Sequence, residues 1–215
     1  MDELLRYKRL RLLVKKLNAE RKKQAKKIDI LCKDLIAAQW DFIRSLDSIS
    51  FAANFYRSII AITDLSTLLL TAGRLIKERF RDANITFFLR RDNGFQLHMV
   101  DNNEPIGGEH HLEDCFTQEL MDNINKANKL CTLDDMLLMG LQANPALLRR
   151  IWATTIPLGQ PGQPVGFILI YRSAEHPSKS DSQSTISQLK DITAVTQGLS
   201  RAIQYCQMSA QGIGR

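Results

Sequence analysis

The sequence predicts an α+β protein in two parts: a long N-terminal coiled-coil helix, then a domain with an antiparallel sheet and flanking helices. Three observations carry this. Residues 1–49 contain no Gly and no Pro and hold one heptad register. Four short runs rich in β-branched and aromatic residues come as two turn-linked pairs. Apolar stripes of helical period precede, separate and follow those pairs.

The N-terminal helix comes first. With position a at 7, 14, 21, 28, 35, 42 and 49, the a residues are Tyr7, Val14, Arg21, Ile28, Leu35, Phe42 and Ile49. The d residues are Glu3, Leu10, Leu17, Gln24, Leu31, Ala38 and Ser45. Ten of these 14 are apolar or aromatic, and the register never slips. A strict 3.5-residue repeat winds helices into a left-handed supercoil. Leu10, Val14, Leu17, Ile28, Leu31, Leu35 and Phe42 are therefore the expected homodimer interface. β-Branched a residues with Leu at d lean towards a parallel pair. Arg21 and Gln24 interrupt the seam, and polar core positions fix register at some cost in stability. A single helix packed on the globular part is the alternative.

Charge is concentrated in the same segment. Residues 1–33 hold 12 Lys/Arg and 4 Asp/Glu, a local balance of +8, against +6 for the whole chain. The pI of 9.2 thus belongs to the rod. Such a segment can attract an acidic protein surface or nucleic acid weakly and without sequence preference. No base-reading motif accompanies it.

The remaining elements follow in order. Phe51, Phe55, Ile59 and Ile62 continue the apolar period through a connecting helix over 51–63, and Asp64 is an expected N-cap for a fresh helix at about 65–81. Asn84–Arg90 and Phe95–Val100, joined at Asp92-Asn93-Gly94, read as a hairpin. Residues 101–111, with Pro105, Gly107 and Gly108, read as a polar loop. Leu112, Cys115, Phe116, Leu120 and Ile124 share one face of an expected helix over 112–128, and a short helix is expected within 133–149, ending near Asn144-Pro145. Ile151–Leu158 and Val165–Tyr171 form a second hairpin across Gly159–Pro164. A break at 177–181 precedes a last helix carrying Ile186, Leu189, Ile192, Val195, Leu199, Ile203 and Cys206. Residues 208–215 read as a flexible tail. Helices are expected to gather on one face of the sheet.

Composition bounds the class. Of 215 residues, 44% are hydrophobic and 24% charged, which excludes a collagen, a disordered tail and a disulfide miniprotein. No run of 18 apolar residues occurs, so no membrane span is expected. The first residues lack an apolar export core and a cleavage site, which points to the cytoplasm. Cys32, Cys115, Cys131 and Cys206 are scattered and read as reduced thiols. His110, His111 and Cys115 lack a fourth ligand and a paired spacing, so no metal is expected.

Residues about 60–207 resemble a GAF domain, the small-molecule sensor module related to PAS. Leu65–Phe80 followed by Ala83–Leu89 is similar to that family's first helix and strand, with Arg91–Gly94 as the turn. Ala153–Leu158 and Pro164–Ile170, a strand ending in Pro-Leu and a second opening with Val-Gly, are similar to its most typical feature. Asp181–Ala202 resembles its closing helix, and the domain is taken as 64–207. Ile106–His111 matches the family's Gly-rich segment only loosely. The Asn-Lys-Phe-Asp-Glu motif of phosphodiesterase GAF domains, the bilin-attaching Cys of phytochromes and the Cys pattern of methionine-sulfoxide-reducing GAF enzymes are missing. The resemblance therefore implies a sensor fold and names no cofactor or ligand.

No nucleophile–base–acid set or phosphate-binding motif occurs, so no enzyme is expected. The resemblance implies a dimeric regulatory protein whose coiled coil signals to a partner protein. The alternatives are a ligand-free scaffold, a methionine-sulfoxide-reductase-type enzyme and a nucleic-acid-binding regulator. A small-molecule ligand would sit between the sheet and residues 106–135. His98, Trp152 and Thr154 are its candidate contacts, offering a titratable ring, stacking area and a hydroxyl. Simple core filling is the other reading of these three.

Overall fold

The structure, a computed structural model, describes residues 2–91, 94–100, 111–144, 148–173 and 179–212. The loop with Pro105 and His110, the turn residues Asp92 and Asn93, Pro145, His176 and the last three residues lie outside that set. Helix α1 runs Asp2–Ile59, and the chain divides into two compact units, Met1–Ser50 and Phe51–Arg215. Among the described residues, no helix is long and apolar enough to cross a membrane.

In the first unit the helix is unbroken, as the absence of Gly and Pro permits. Its seam residues, from Tyr7 to Ile49, are all exposed. Neighbouring charges pair along the helix surface, Lys33 with Asp29 at 2.9 Å and Lys23 with Glu20 at 3.5 Å. Such exposed pairs are worth about 0.3–0.5 kcal/mol each.

The second unit is built on a five-stranded antiparallel sheet in the order β2-β1-β5-β4-β3. Its strands are β1 (Asn84–Arg91), β2 (Gly94–Met99), β3 (Cys131–Thr132), β4 (Ile151–Gln160) and β5 (Gln163–Ser173). Helix α2 (Leu65–Arg79) starts where Asp64 caps it, the carboxylate accepting the Thr67 N–H at 2.7 Å. Residues 112–128 are not one helix. A 3-10 turn (Leu112–Cys115) and α3 (Gln118–Ala127) are separated at Thr117, whose hydroxyl accepts the Leu120 N–H and caps α3 instead. Helix α4 (Leu133–Leu138) is capped by Thr132 and stops before Gly140. Helix α5 (Lys179–Gly212) runs past 207, so residues 208–212, expected as tail, are helical.

Helices cover both faces of the sheet, not one. Residues 51–59 of α1, together with α2 and α5, pack on the face of Ile85, Phe87, Ile156, Ile168 and Ile170. The 3-10 turn, α3 and α4 pack on the face of Phe88, Ala153, Phe167, Leu169 and Tyr171. The segment read as a connecting helix is thus part of the globular core, through Phe51, Phe55 and Ile59. The reason lies in β5, which is buried without interruption from Val165 to Tyr171 and has no polar face to offer water.

The β4–β5 connection is tighter than the Gly/Pro content suggests. The strands pair down to Gln160 and Gln163, leaving Pro161-Gly162 as a two-residue turn. Pro at the first turn position and Gly162 with φ +88° at the second fit a type II turn. Gly166, with φ +151°, brings β5 against β1: a Cβ there would lie 1.9 Å from the Phe88 carbonyl oxygen. Gly166→Ala should therefore destabilise the protein by at least about 2 kcal/mol, read as a shift in urea midpoint. A shift below about 0.5 kcal/mol would contradict this strand packing.

Candidate functional site

A buried polar cluster lies on the face covered by the 3-10 turn. Asn84 and Thr86 enter it from β1 and Tyr171 from β5, Asn84 and Tyr171 being cross-strand partners. The 3-10 turn supplies Glu113, and the His111 backbone N–H donates to the Asp114 carboxylate at 3.1 Å to hold that turn. Glu113 is 6% exposed, and Tyr171 and Thr86 are fully buried. The Tyr171 hydroxyl donates to Glu113 Oε2 at 2.5 Å, and the Thr86 hydroxyl donates to Glu113 Oε1. Burial and the neighbouring Glu113 carboxyl push the Tyr171 hydroxyl far above the usual phenol range. Both oxygens of Glu113 thus have donors, so the group anchors the 3-10 turn to the sheet.

Around this cluster lies a packed aromatic and apolar core. Phe88 stacks between Phe116 and Phe167 at centroid distances of 5.1 and 4.7 Å, with Cys131, Met136 and Leu120 packed alongside. Nothing in the sequence marks Glu113 as buried, because it sits in a polar-looking Leu-Glu-Asp-Cys stretch. The signal that could have found it is Tyr171 inside an otherwise apolar strand, since a buried Tyr hydroxyl needs a partner.

Of the three sequence-predicted pocket residues, Trp152 and His98 lie on the α2–α5 side of the sheet, and Thr154 touches the stretch 111–135 at Cys131. Trp152 stacks on Phe80 at 5.7 Å, with the Arg172 guanidinium 5.4 Å from its ring centroid, on the α2–α5 side of the sheet. Thr154 is 2% exposed, and its hydroxyl donates to the Cys131 carbonyl at 3.0 Å. His98 pairs with Phe87, which is in the α2–α5 core, and is half-buried. Burial, then the nearby Arg91 charge, lowers its pKa. The row His98–Phe87–Ile168–Ile156 crosses the sheet, so His98 and the Trp152/Thr154 strand stand three strands apart, about 14 Å. The three residues share a face of the sheet.

Two apolar grooves open elsewhere on the globular unit. One, about 630 Å³, runs between Ile59, Ile60 and Ile62 and the Ala202–Tyr205 stretch of α5. The other, about 570 Å³, lies between Leu130 and Ile186, Leu189 and Ala194. Neither draws in His98, Trp152 or Thr154. Burial raises the pKa of Cys115, Cys131 and Cys206, which makes these thiols poor nucleophiles. The expected interface residues Leu10, Val14, Leu17, Ile28, Leu31, Leu35 and Phe42 are all exposed along the rod.

The Tyr171–Glu113 bond has a pH signature. Tyr171→Phe leaves the buried carboxyl one donor short and should cost about 1–3 kcal/mol at pH 7, read by urea unfolding. Because the folded pKa is raised above its ordinary 10.0, Tyr171 contributes fully below that pH and its contribution is lost as pH rises beyond it. The gap between wild type and Tyr171→Phe should therefore narrow above about pH 10. A gap independent of pH would contradict the buried hydroxyl's role.

No family model matches the sequence, and no curated protein matches it. Solved structures do match. The chain is similar to the GAF domain of a phosphoenolpyruvate-protein phosphotransferase from Coxiella burnetii, at 13% identity and TM-score 0.52, over 77% of this chain and 98% of that one. It is similar to the GAF domain of the Acinetobacter phosphoenolpyruvate-protein phosphotransferase, at 9% identity and TM-score 0.51, over 76% of this chain and 97% of that one. At such identities the likeness speaks for fold alone. The antiparallel sheet order, the helices on both faces and these neighbours together give the chain a GAF-domain fold.

Proposed function

We propose that this chain is a homodimeric, non-catalytic regulatory protein of GAF fold that acts by binding another protein through its rod. The observation that carries the reading is the rod's excess of exposed apolar surface. A two-stranded coil covers the a and d positions. Ile36, Trp40 and Ile43 lie outside that seam at helical spacing, and all three are more than half exposed. One seam suits a second copy, and this further stripe suits a helix or groove of a partner protein. The globular unit serves as a folded module whose α3–α4 face packs Phe88, Phe116 and Phe167 against one another, which supports the scaffold reading over small-molecule sensing. The GAF fold itself supports a regulatory role.

One observation favours a ligand instead. On α3 and at its C-terminal end, Asn125 Oδ1 and Asn128 Oδ1 are buried and lack hydrogen-bond partners among the described residues. Buried unsatisfied acceptors are uncommon, and a bound molecule would relieve them.

Native mass spectrometry of the full chain separates these readings. The expected result is a dimer at twice 24.5 kDa with no added mass. A co-purified small molecule would move the assignment to a sensor, and a monomer would remove the dimer. Leu31→Asp with Leu35→Asp should yield monomers with the globular unit still folded, because each large seam side chain contributes about 1.5–3 kcal/mol of burial.

A further inference from the structure

The rod is one uninterrupted helix whose seam is exposed, so its charges and polar interruptions can be placed against any arrangement of a second copy. The charges are polarised along it. Residues 1–27 hold 11 Lys/Arg and 3 Asp/Glu, a balance of +8. Residues 28–50 hold Asp29, Asp34, Asp41 and Asp47 against Lys33 and Arg44, a balance of −2.

In a parallel in-register pair, each a residue meets the same residue of the other chain. Arg21 then meets Arg21 of the partner subunit inside the seam. The flanking g position of one chain faces the next e position of the other, so Arg6 faces Arg11 of the partner subunit. Both contacts are like-charged, and the +8 halves lie side by side.

Reversing one chain pairs each a with a d. One reversed register gives Arg21 and Gln24, the polar seam positions within residues 7–38, each other as neighbours, while Glu3 outside that stretch falls beside the partner's Phe42. Arg21 falls beside Gln24 of the partner subunit, with Leu17 on the partner's Ile28, Val14 on the partner's Leu31, Leu10 on the partner's Leu35 and Tyr7 on the partner's Ala38. Sliding by one heptad either way sets Arg21 against a Leu. In the same register g faces g: Arg6 meets Asp41 of the partner subunit, and Glu20 meets the partner's Lys27. No like-charged pair is created at the flanking e positions, where Arg11 meets the partner's Cys32 and Asn18 the partner's Ala25. Residues 28–38, with their acidic surplus, lie along the partner's basic half.

We propose that two copies of this chain pair through residues 7–38 as an antiparallel coiled coil, centred between Lys22 and Lys23. This rests on the homodimer proposed above and reverses the parallel lean of the β-branched a positions. Charge and register decide here, because Val14 and Ile28 are tolerated in either direction while Arg21 against Arg21 adds a like-charge repulsion to the cost of a polar core position.

The test uses the full chain in a Cys32→Ser background, with the oligomeric state read first by light scattering. A monomer overturns both the homodimer and this proposal. Given a dimer, chains carrying Val14→Cys are mixed with chains carrying Leu31→Cys and oxidised, and disulfides are mapped by peptide mass spectrometry. The antiparallel register expects a disulfide from position 14 of one chain to position 31 of the other, and no bridge between identical positions. Positions 14 and 31 are 17 residues apart, about 25 Å along the helix, so a parallel dimer cannot form that bridge. Bridges at 14–14 or 31–31, or no bridge between the rods, overturn the antiparallel arrangement while leaving the homodimer standing. A second measurement needs no cysteine chemistry. Arg6→Glu should raise the dimer dissociation constant about 3- to 30-fold, and Arg6→Glu with Asp41→Arg should restore it. Tightening by Arg6→Glu alone would instead show Arg6 against Arg11 and overturn the proposal.

Discussion

The globular unit depends on a strand that has no solvent side. From Val165 to Tyr171 every residue of β5 is buried, and β5 lies in the centre of the sheet between β1 and β4. A strand buried on both faces requires cover on both faces. That constraint explains why residues 51–59, α2 and α5 occupy one side and the 3-10 turn, α3 and α4 the other. It also explains the one polar residue β5 carries inward. Tyr171 brings a hydroxyl into the second core, and Glu113 reaches in from the 3-10 turn to accept it. The polar cluster is thus a consequence of the sheet's burial, and it fastens the covering turn to the strand that needs covering.

Much of this was legible in the sequence where local chemistry decides. Asp64 announced α2, the Asn-Gly turn announced the first hairpin, and the Pro-Leu and Val-Gly strands announced the second. What was not legible depends on contacts between distant residues. Thr117 splits 112–128 because its hydroxyl caps α3, and the apolar period of that stretch reads the same either way. Which side of the sheet the candidate pocket residues meet was not legible for a related reason. Alternation correctly set Trp152 and Thr154 on one face, but which face meets residues 106–135 is a matter of topology, and alternation is silent on it. The helices' distribution over both faces failed likewise: a run such as Val165–Tyr171 says that both faces are apolar, while a hairpin strand with helices gathered on one side has only one face covered.

The two units solve the burial problem in opposite ways. The globular unit satisfies its apolar residues and its buried carboxyl internally, and its buried thiols are pushed away from reactivity. The rod satisfies almost nothing internally. Its few ion pairs run along its own surface, and Leu, Ile, Phe and Trp side chains from Leu5 to Ile49 face solvent. An isolated helix draws little stability from propensity alone, and most helices are held by packing of an apolar face. The rod's stability and its interactions are therefore the same question.

Hydrophobic burial answers only half of that question. Burial is non-directional, so in the proposed homodimer the seam favours pairing without setting which way round. Direction has to come from groups that distinguish the two ends, and in this chain those are the charges. A +8 balance over the first 27 residues, followed by an acidic surplus, makes the two orientations electrostatically unequal. The polar interruption at Arg21 and Gln24 sharpens the difference, since a mismatched polar core position costs more than a surface repulsion. In the proposed dimer the seam residues would supply the affinity and the polar ones the geometry, a division of labour parallel to that in the globular unit, where the apolar core packs the 3-10 turn and Tyr171 bonds Glu113.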